Sequence, residues 1–269
     1  MSAIEKLDSD WKNWININIE RGVPANKLAA SLFDRGWVEA AYELLNQTNS
    51  PLKIPHIDTS RNHIKLSDKE VSLGFTCYKP FVVVINDFLS DEECQLLIED
   101  ADSKLETSRV VNPEDGSFIQ HNARTSTSTG YQRGQTNVIK TVESRIAELI
   151  NWPIDHGEGL QILRYEDGGE YRPHFDFFDP IKKSSSVVMK KGGQRVGTFL
   201  MYLSDVEVGG STCFPEMNFE VRPRKGTALY FANADLNGDI DKLTLHAGLP
   251  VTSGVKYLAT KWLRELPYI

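Results

Sequence analysis

His174 and Asp176 stand two residues apart in the run YRPHFDFF, His246 lies in TLHAGLP, and Lys256 follows in VKYLATKWL. In a strand, residues i and i+2 share a face. His174 and Asp176 can therefore aim an imidazole and a carboxylate at one point, and His246 can supply a third ligand. Two histidines and one carboxylate on one face of a metal leave the opposite positions open, an arrangement that suits non-haem Fe(II) and oxygen chemistry. A structural zinc more often recruits thiolates and a fourth protein ligand. Lys256 falls on a run that reads as strand. A lysine in a β-rich core is costly unless paired, and a co-substrate carboxylate would be its partner. His56 and His63 lack partners at ligand spacing and read as ordinary polar residues. Cys77, Cys94 and Cys213 are scattered without CxxC spacing, which implies neither a zinc site nor a disulfide framework.

The elements that must position these groups lie mostly after residue 81. FVVVINDFL reads as a strand, and Ser90 with Glu93 has the spacing of a capping box before the helix DEECQLLIEDADSKL. TNVIKTVESRIAELI is a second amphipathic helix. Short β segments follow: GLQILRYED, YRPHFDFF, RVGTFLMYL, STCFP, NFEVRP, TALYFA, KLTLHAG and KYLATKWL. Many short strands at close spacing predict a sandwich or barrel, with the two helices over one sheet. Residues 106–134 are polar and read as a long loop or hairpin. They and the loop 179–195 are candidates for a lid that excludes water.

Residues 1–52 read as a small helical unit. Asp8 or Ser9 can cap a helix carrying Trp11, Trp14, Ile15 and Ile19. A second helix carries Leu28, Leu32 and Phe33 and stops at Gly36, and a third carries Val38, Ala41, Leu44 and Leu45. Such a unit is a marginal core alone. Its apolar faces are expected either to dock on the rest of the chain or to form a partner- or self-association face. Residues 53–80 read as a connecting arm, with a short strand or two, and 81–269 as the main domain.

The chain of 269 residues has a net charge of −7, which argues against a nucleic-acid partner. Lys182, Lys183, Lys190, Lys191 and Arg195 form a local basic stretch, read as largely a solvated loop. No apolar run approaches the length of a membrane span. The first residues lack the apolar stretch of a secretory signal, so a cytoplasmic protein is expected.

Residues 158–264 resemble the catalytic domain of the prolyl 4-hydroxylase family of Fe(II)- and 2-oxoglutarate-dependent dioxygenases. The matching text is EGLQILRYEDGGEYRPHFDFFDP, GGQRVGTFLMYLSDVEVGGSTCFP and LHAGLPVTSGVKYLATKWL. A weaker match reaches back to residue 81 and includes Arg124-Thr125-Ser126. The resemblance implies a mainly β double-stranded β-helix, or jelly-roll, core with flanking helices. It implies Fe(II) on His174, Asp176 and His246, with 2-oxoglutarate held by Lys256, Tyr165 and Thr212. Tyr171, Arg195, Glu158 and Trp262 would line the substrate groove, and ascorbate would be the reductant. One departure is Arg264, where compared members often carry His; it bears on the substrate rather than the chemistry. The activity implied is hydroxylation, at C4, of prolyl residues in a peptide or protein. Two other readings are an oxygenase acting on a free amino acid or other small molecule, and a non-catalytic jelly-roll binding module. Oligomeric state stays open.

Overall fold

The computed structural model describes residues 2–48, 54–108, 110–111, 117–119 and 123–269. Two antiparallel sheets face each other. The larger has nine strands, in the order 63–65, 70–78, 81–86, 228–232, 195–202, 256–264, 161–165, 127–130 and 106–107. The smaller has four, in the order 219–221, 212–214, 246–248 and 171–174. This is the double-stranded β-helix with flanking helices that the resemblance implies. Among the described residues, no helix is long and apolar enough to cross a membrane.

The side-chain period of two divides the strand Arg195–Tyr202 between two cores. Phe199 and Met201 face the helices, while Leu200 and Tyr202 join Phe214, Phe231 and Leu258 between the sheets. The helix side is covered by α4 (Asp91–Asp102) and α5 (Asn137–Leu149), through Leu97, Ile139, Val142 and Ile146. Ser90 and Glu93 do form the reciprocal capping box at the start of α4, with bonds of 3.2 and 2.9 Å. Arg145 of α5, itself buried, ties this corner together by donating to Glu93, Asp68 and the Phe88 carbonyl.

Helices α1 (Ser9–Glu20), α2 (Ala25–Phe33) and α3 (Val38–Gln47) share the core of the large sheet. Asp8 caps α1 by accepting from the Trp11 amide at 2.9 Å. Phe33 meets Phe81 edge-on at 4.9 Å, and Tyr42 lies 4.4 Å from His56. The apolar faces of these helices therefore dock on the sheet. Ile17, Ile19 and Trp37 stay exposed. The connecting arm read at 53–80 is more ordered than its composition suggests. Glu70–Tyr78 is a nine-residue strand paired with Phe81–Asn86, because Val71, Leu73 and Tyr78 find apolar partners in the same core. The long loop read at 106–134 contains short strands at 106–107, 110–111, 118–119 and 127–130; residues 109, 112–116 and 120–122 lie outside the described residues. The loop 179–195 contains the helix α6, Lys183–Val188.

If the helical unit is part of one core, Phe33→Ala should cost about 3–5 kcal/mol in denaturant unfolding, as for other buried aromatic truncations. A separate, unaffected transition for the β domain would show that the unit is not coupled to it.

Candidate active site

His174 ends the strand Tyr171–His174, and His246 opens the strand His246–Gly248; the two are direct cross-strand partners. Their rings lie 4.3 Å apart. Asp176 sits between them, with its carboxylate oxygens 3.7 Å from each Nε2. One ligand atom from each of the three residues falls within 4.8 Å of the others. The strand stops at His174 and Asp176 lies in the bend beyond it, so the two do not share a pleated face as their i, i+2 spacing predicts. Side chains hold that bend instead. Gln194 brackets Phe178, accepting from its amide and donating to its carbonyl, both at 2.7 Å.

Each imidazole is oriented from behind. His174 Nδ1 meets the Arg172 carbonyl at 2.8 Å and His246 Nδ1 meets the Thr244 carbonyl at 3.0 Å. Carbonyls only accept, so both Nδ1 atoms carry the proton and both Nε2 lone pairs point into the gap. Burial, with help from the neighbouring His246, pushes the His174 pKa down to about 3, so the ring is neutral across the physiological range. The Asp176 carboxyl is held below its usual range: burial works against this, while His246 and His174 in their protonated forms, the Arg195 guanidinium and the Thr198 hydroxyl favour the charged form. Thr198 donates to Asp176 Oδ2 at 2.8 Å and accepts from Asn233 at 3.0 Å. Two imidazoles and one carboxylate, converging with open space opposite, fit Fe(II).

The strand Lys256–Arg264 puts its even residues on the site. Lys256, Leu258, Thr260 and Trp262 line a small cavity together with Tyr165, Thr212 and the three ligand candidates. Lys256 is fully buried, and burial pushes its ammonium down to about 7. It donates to the Gly210 carbonyl at 2.6 Å and lies over the rings of Tyr165 and Tyr202. Among the described residues no carboxylate pairs with it. Tyr202 donates to Thr212 Oγ1 at 2.8 Å. The odd residues face the helices, where Lys261 pairs with Glu143 and Tyr257 donates to Asp102.

On the other side, His174 and Asp176 also line an open cleft of about 1420 Å³. Glu158, Tyr171, Arg195 and Trp262 line its wall. Arg195 makes a forked pair with Glu158 at 2.7 and 3.0 Å and lies flat over Trp262 at 4.0 Å. Arg264, beneath them, reaches Glu158 at 3.5 Å and donates to the carbonyls of Val188 and Lys191. A Cβ at Gly159 would collide with the Tyr131 carbonyl, so only glycine lets these backbones meet at the rim. Every site residue read from the sequence lies on the cleft or the small cavity, and Tyr171, His174, Asp176 and Trp262 lie on both. Sequence reasoning missed Thr198, Asn233, Gln194 and Tyr202. Thr198 had one usable signal, a lone hydroxyl inside the apolar run VGTFLM.

The chain's similarities agree with this geometry. Residues 160–264 match the model of the 2OG-Fe(II) oxygenase superfamily. A probable prolyl 4-hydroxylase 3 of Arabidopsis thaliana is 42% identical over 210 residues, covering 71% of each chain. Prolyl 4-hydroxylase 5 of the same plant is 37% identical, covering 69% of this chain and 68% of its own. The solved viral collagen prolyl hydroxylase of Paramecium Bursaria Chlorella virus-1, in a 2OG complex, is 32% identical. It aligns with a TM-score of 0.53 over 68% of this chain and 95% of its own. The chain belongs to the prolyl 4-hydroxylase family, and it is an Fe(II)- and 2-oxoglutarate-dependent dioxygenase.

Thr198→Val removes the hydroxyl that orients Asp176 while keeping the side-chain shape. It should weaken Fe(II) binding by about 10–100-fold, as loss of such supporting bonds does elsewhere, in an anaerobic metal titration. Unchanged affinity would show that Asp176 needs no support from the large sheet.

Proposed function

We propose that this enzyme hydroxylates prolyl residues, at C4, in a peptide or protein. The observation that carries the reading is the placement of His174 and Asp176 between two spaces of different character, with His246 on the inner one. The inner one is small, buried and ends in a lone ammonium. The outer one is a wide cleft that leaves room for an extended chain rather than a single small molecule. The relatives in the family are themselves prolyl 4-hydroxylases.

In this reading His174, Asp176 and His246 hold Fe(II). Bound Fe(II) supplies the oxidising chemistry, in which 2-oxoglutarate and dioxygen become succinate and carbon dioxide and one oxygen atom enters a prolyl C–H bond. The protein's own residues do the rest. Lys256 fixes the far carboxylate of 2-oxoglutarate as a point charge, and the hydroxyls of Tyr165 and Thr212 hydrogen-bond the same molecule. Tyr171, Trp262 and the Arg195–Glu158 pair present the target proline to the floor of the cleft. Ascorbate serves as the reductant that keeps the metal ferrous.

The direct test is a succinate-release assay with Fe(II), 2-oxoglutarate and ascorbate, run against proline-containing peptides and free proline, with the product mapped by mass spectrometry. Oxygen on a prolyl C4 of a peptide is the expected result. Turnover of free proline alone would replace the peptide with a small-molecule substrate.

Lys256 gives two further expectations. Lys256→Ala should raise the 2-oxoglutarate requirement strongly, by about 3 kcal/mol or more of lost binding, because the buried carboxylate loses its counter-charge. In the wild type the empty-state ammonium titrates near 7, and a bound dicarboxylate raises that pKa. Binding above pH 7 therefore takes up a proton, and affinity should fall by up to about tenfold per pH unit as the pH rises. Calorimetry in buffers of different ionisation enthalpy reads this proton directly. No proton uptake at pH 8 would show that the Lys256 ammonium is already charged there before the co-substrate binds.

A further inference from the structure

We propose that the cleft selects acidic segments, so that the target proline is flanked by aspartate or glutamate. This deepens the reading of the enzyme as a peptide hydroxylase and rests on it. The whole chain carries a net charge of −7, yet the cleft has the opposite balance. Among the described residues its wall carries six cations: Arg124, Arg133, Lys182, Lys191, Arg195 and Lys242. Against them stand three carboxylates, Glu158, Asp176 and Asp179. Two of these are already used within the fold. Glu158 is shared by Arg195 and Arg264, and Asp176 lies between the two imidazoles. Asp179 accepts from the Ile181 amide.

Apart from Arg195, which Glu158 pairs, these cations meet no carboxylate among the described residues. Arg133 donates only to carbonyls, those of Asp155, Gly157 and Tyr268, at 2.6–2.9 Å. Arg124 is 8% exposed, donates to Gln161 at 3.1 Å and lies over the Tyr171 ring. Among the described residues its buried Nε has no hydrogen-bond partner. Lys191 rests on the ring of Tyr268 at 4.7 Å. Lys182 meets no carboxylate among the described residues. Arg264 strengthens the pattern from below, since it saturates Glu158 and fixes the Val188 and Lys191 carbonyls that carry the lysine side of the cleft. A polypeptide bringing carboxylates to either side of the proline would complete these charges, and a basic one would be repelled.

The test uses the full-length enzyme loaded with Fe(II) and 2-oxoglutarate without oxygen. Labelled peptides share one central proline and carry acidic, neutral or basic flanks, with a proline-free acidic peptide as control, and binding is read by fluorescence anisotropy. The acidic-flank peptide should bind about tenfold tighter than the neutral one at low salt, with the difference shrinking as salt rises. The double variant Lys182→Glu/Lys191→Glu, altered at two exposed side chains, should lose or reverse the preference while keeping its melting transition. Equal binding of all three flanks, or a preference untouched by the double variant, overturns the proposal. So does equally tight binding of the proline-free control, which would mark the cleft as a general polyanion surface. Turnover separates the two readings: a bound acidic peptide that releases no succinate in oxygen contradicts the hydroxylase reading and leaves the charge preference standing.

Discussion

The hydrogen bond from Thr198 to Asp176 joins the two sheets at the place where the chemistry must occur. His174 and His246 are fixed by their own cross-strand pairing in the small sheet. Asp176 has no such support, because the strand has ended two residues earlier. Its carboxylate is held from the large sheet by Thr198, and Thr198 is held in turn by Asn233, just past the end of the neighbouring strand. A free carboxylate in that space would be costly to bury. With the Thr198 hydroxyl donating to it and the Arg195 guanidinium nearby, it stays charged and aimed. The spacing between the sheets thus sets the geometry of the candidate metal site, and the cores on both sides of the large sheet set that spacing.

The strand Lys256–Arg264 shows how one element serves stability and chemistry without conflict. Its odd residues fasten it to α4 and α5 through Tyr257, Ala259, Lys261 and Leu263. Its even residues run from the buried ammonium at one end to Trp262 and Arg264 under the cleft at the other. Two lysines on this strand have opposite fates. Lys261 is neutralised by Glu143 within the fold, whereas Lys256 meets only a carbonyl and aromatic faces. That contrast is what marks Lys256 as a site for an anion that the chain itself does not supply.

Much of this was legible in the sequence because the chemistry needs rare residue types at fixed places. His174, Asp176, His246 and Lys256 stood out by type and spacing, and the period-two runs around them read as strands. What could not be read was set by contacts between distant segments. Gln194 bracketing Phe178 joins residues with no local pattern in common. Asn233 supports Asp176 through a third side chain, so neither neighbour in sequence betrays it. The strand Glu70–Tyr78 has weak alternation, with Gly74 in its middle, and pairing rather than propensity makes it a strand. The N-terminal helices were patterned, but only the packing of Phe33 on Phe81 tells which surface they cover.

The central claim is that three side chains from two paired strands and the bend beyond them form one Fe(II) site, with 2-oxoglutarate reaching Lys256 behind it. The most direct measurement is an anaerobic titration of the full-length protein with Fe(II) and 2-oxoglutarate. It follows bound iron and the visible charge-transfer absorption of the metal–co-substrate pair, in the wild type and in His246→Ala. One iron per chain with that absorption, both lost in His246→Ala while the protein keeps its fold, is the predicted result. Full iron binding and an unchanged absorption in the variant would contradict the account.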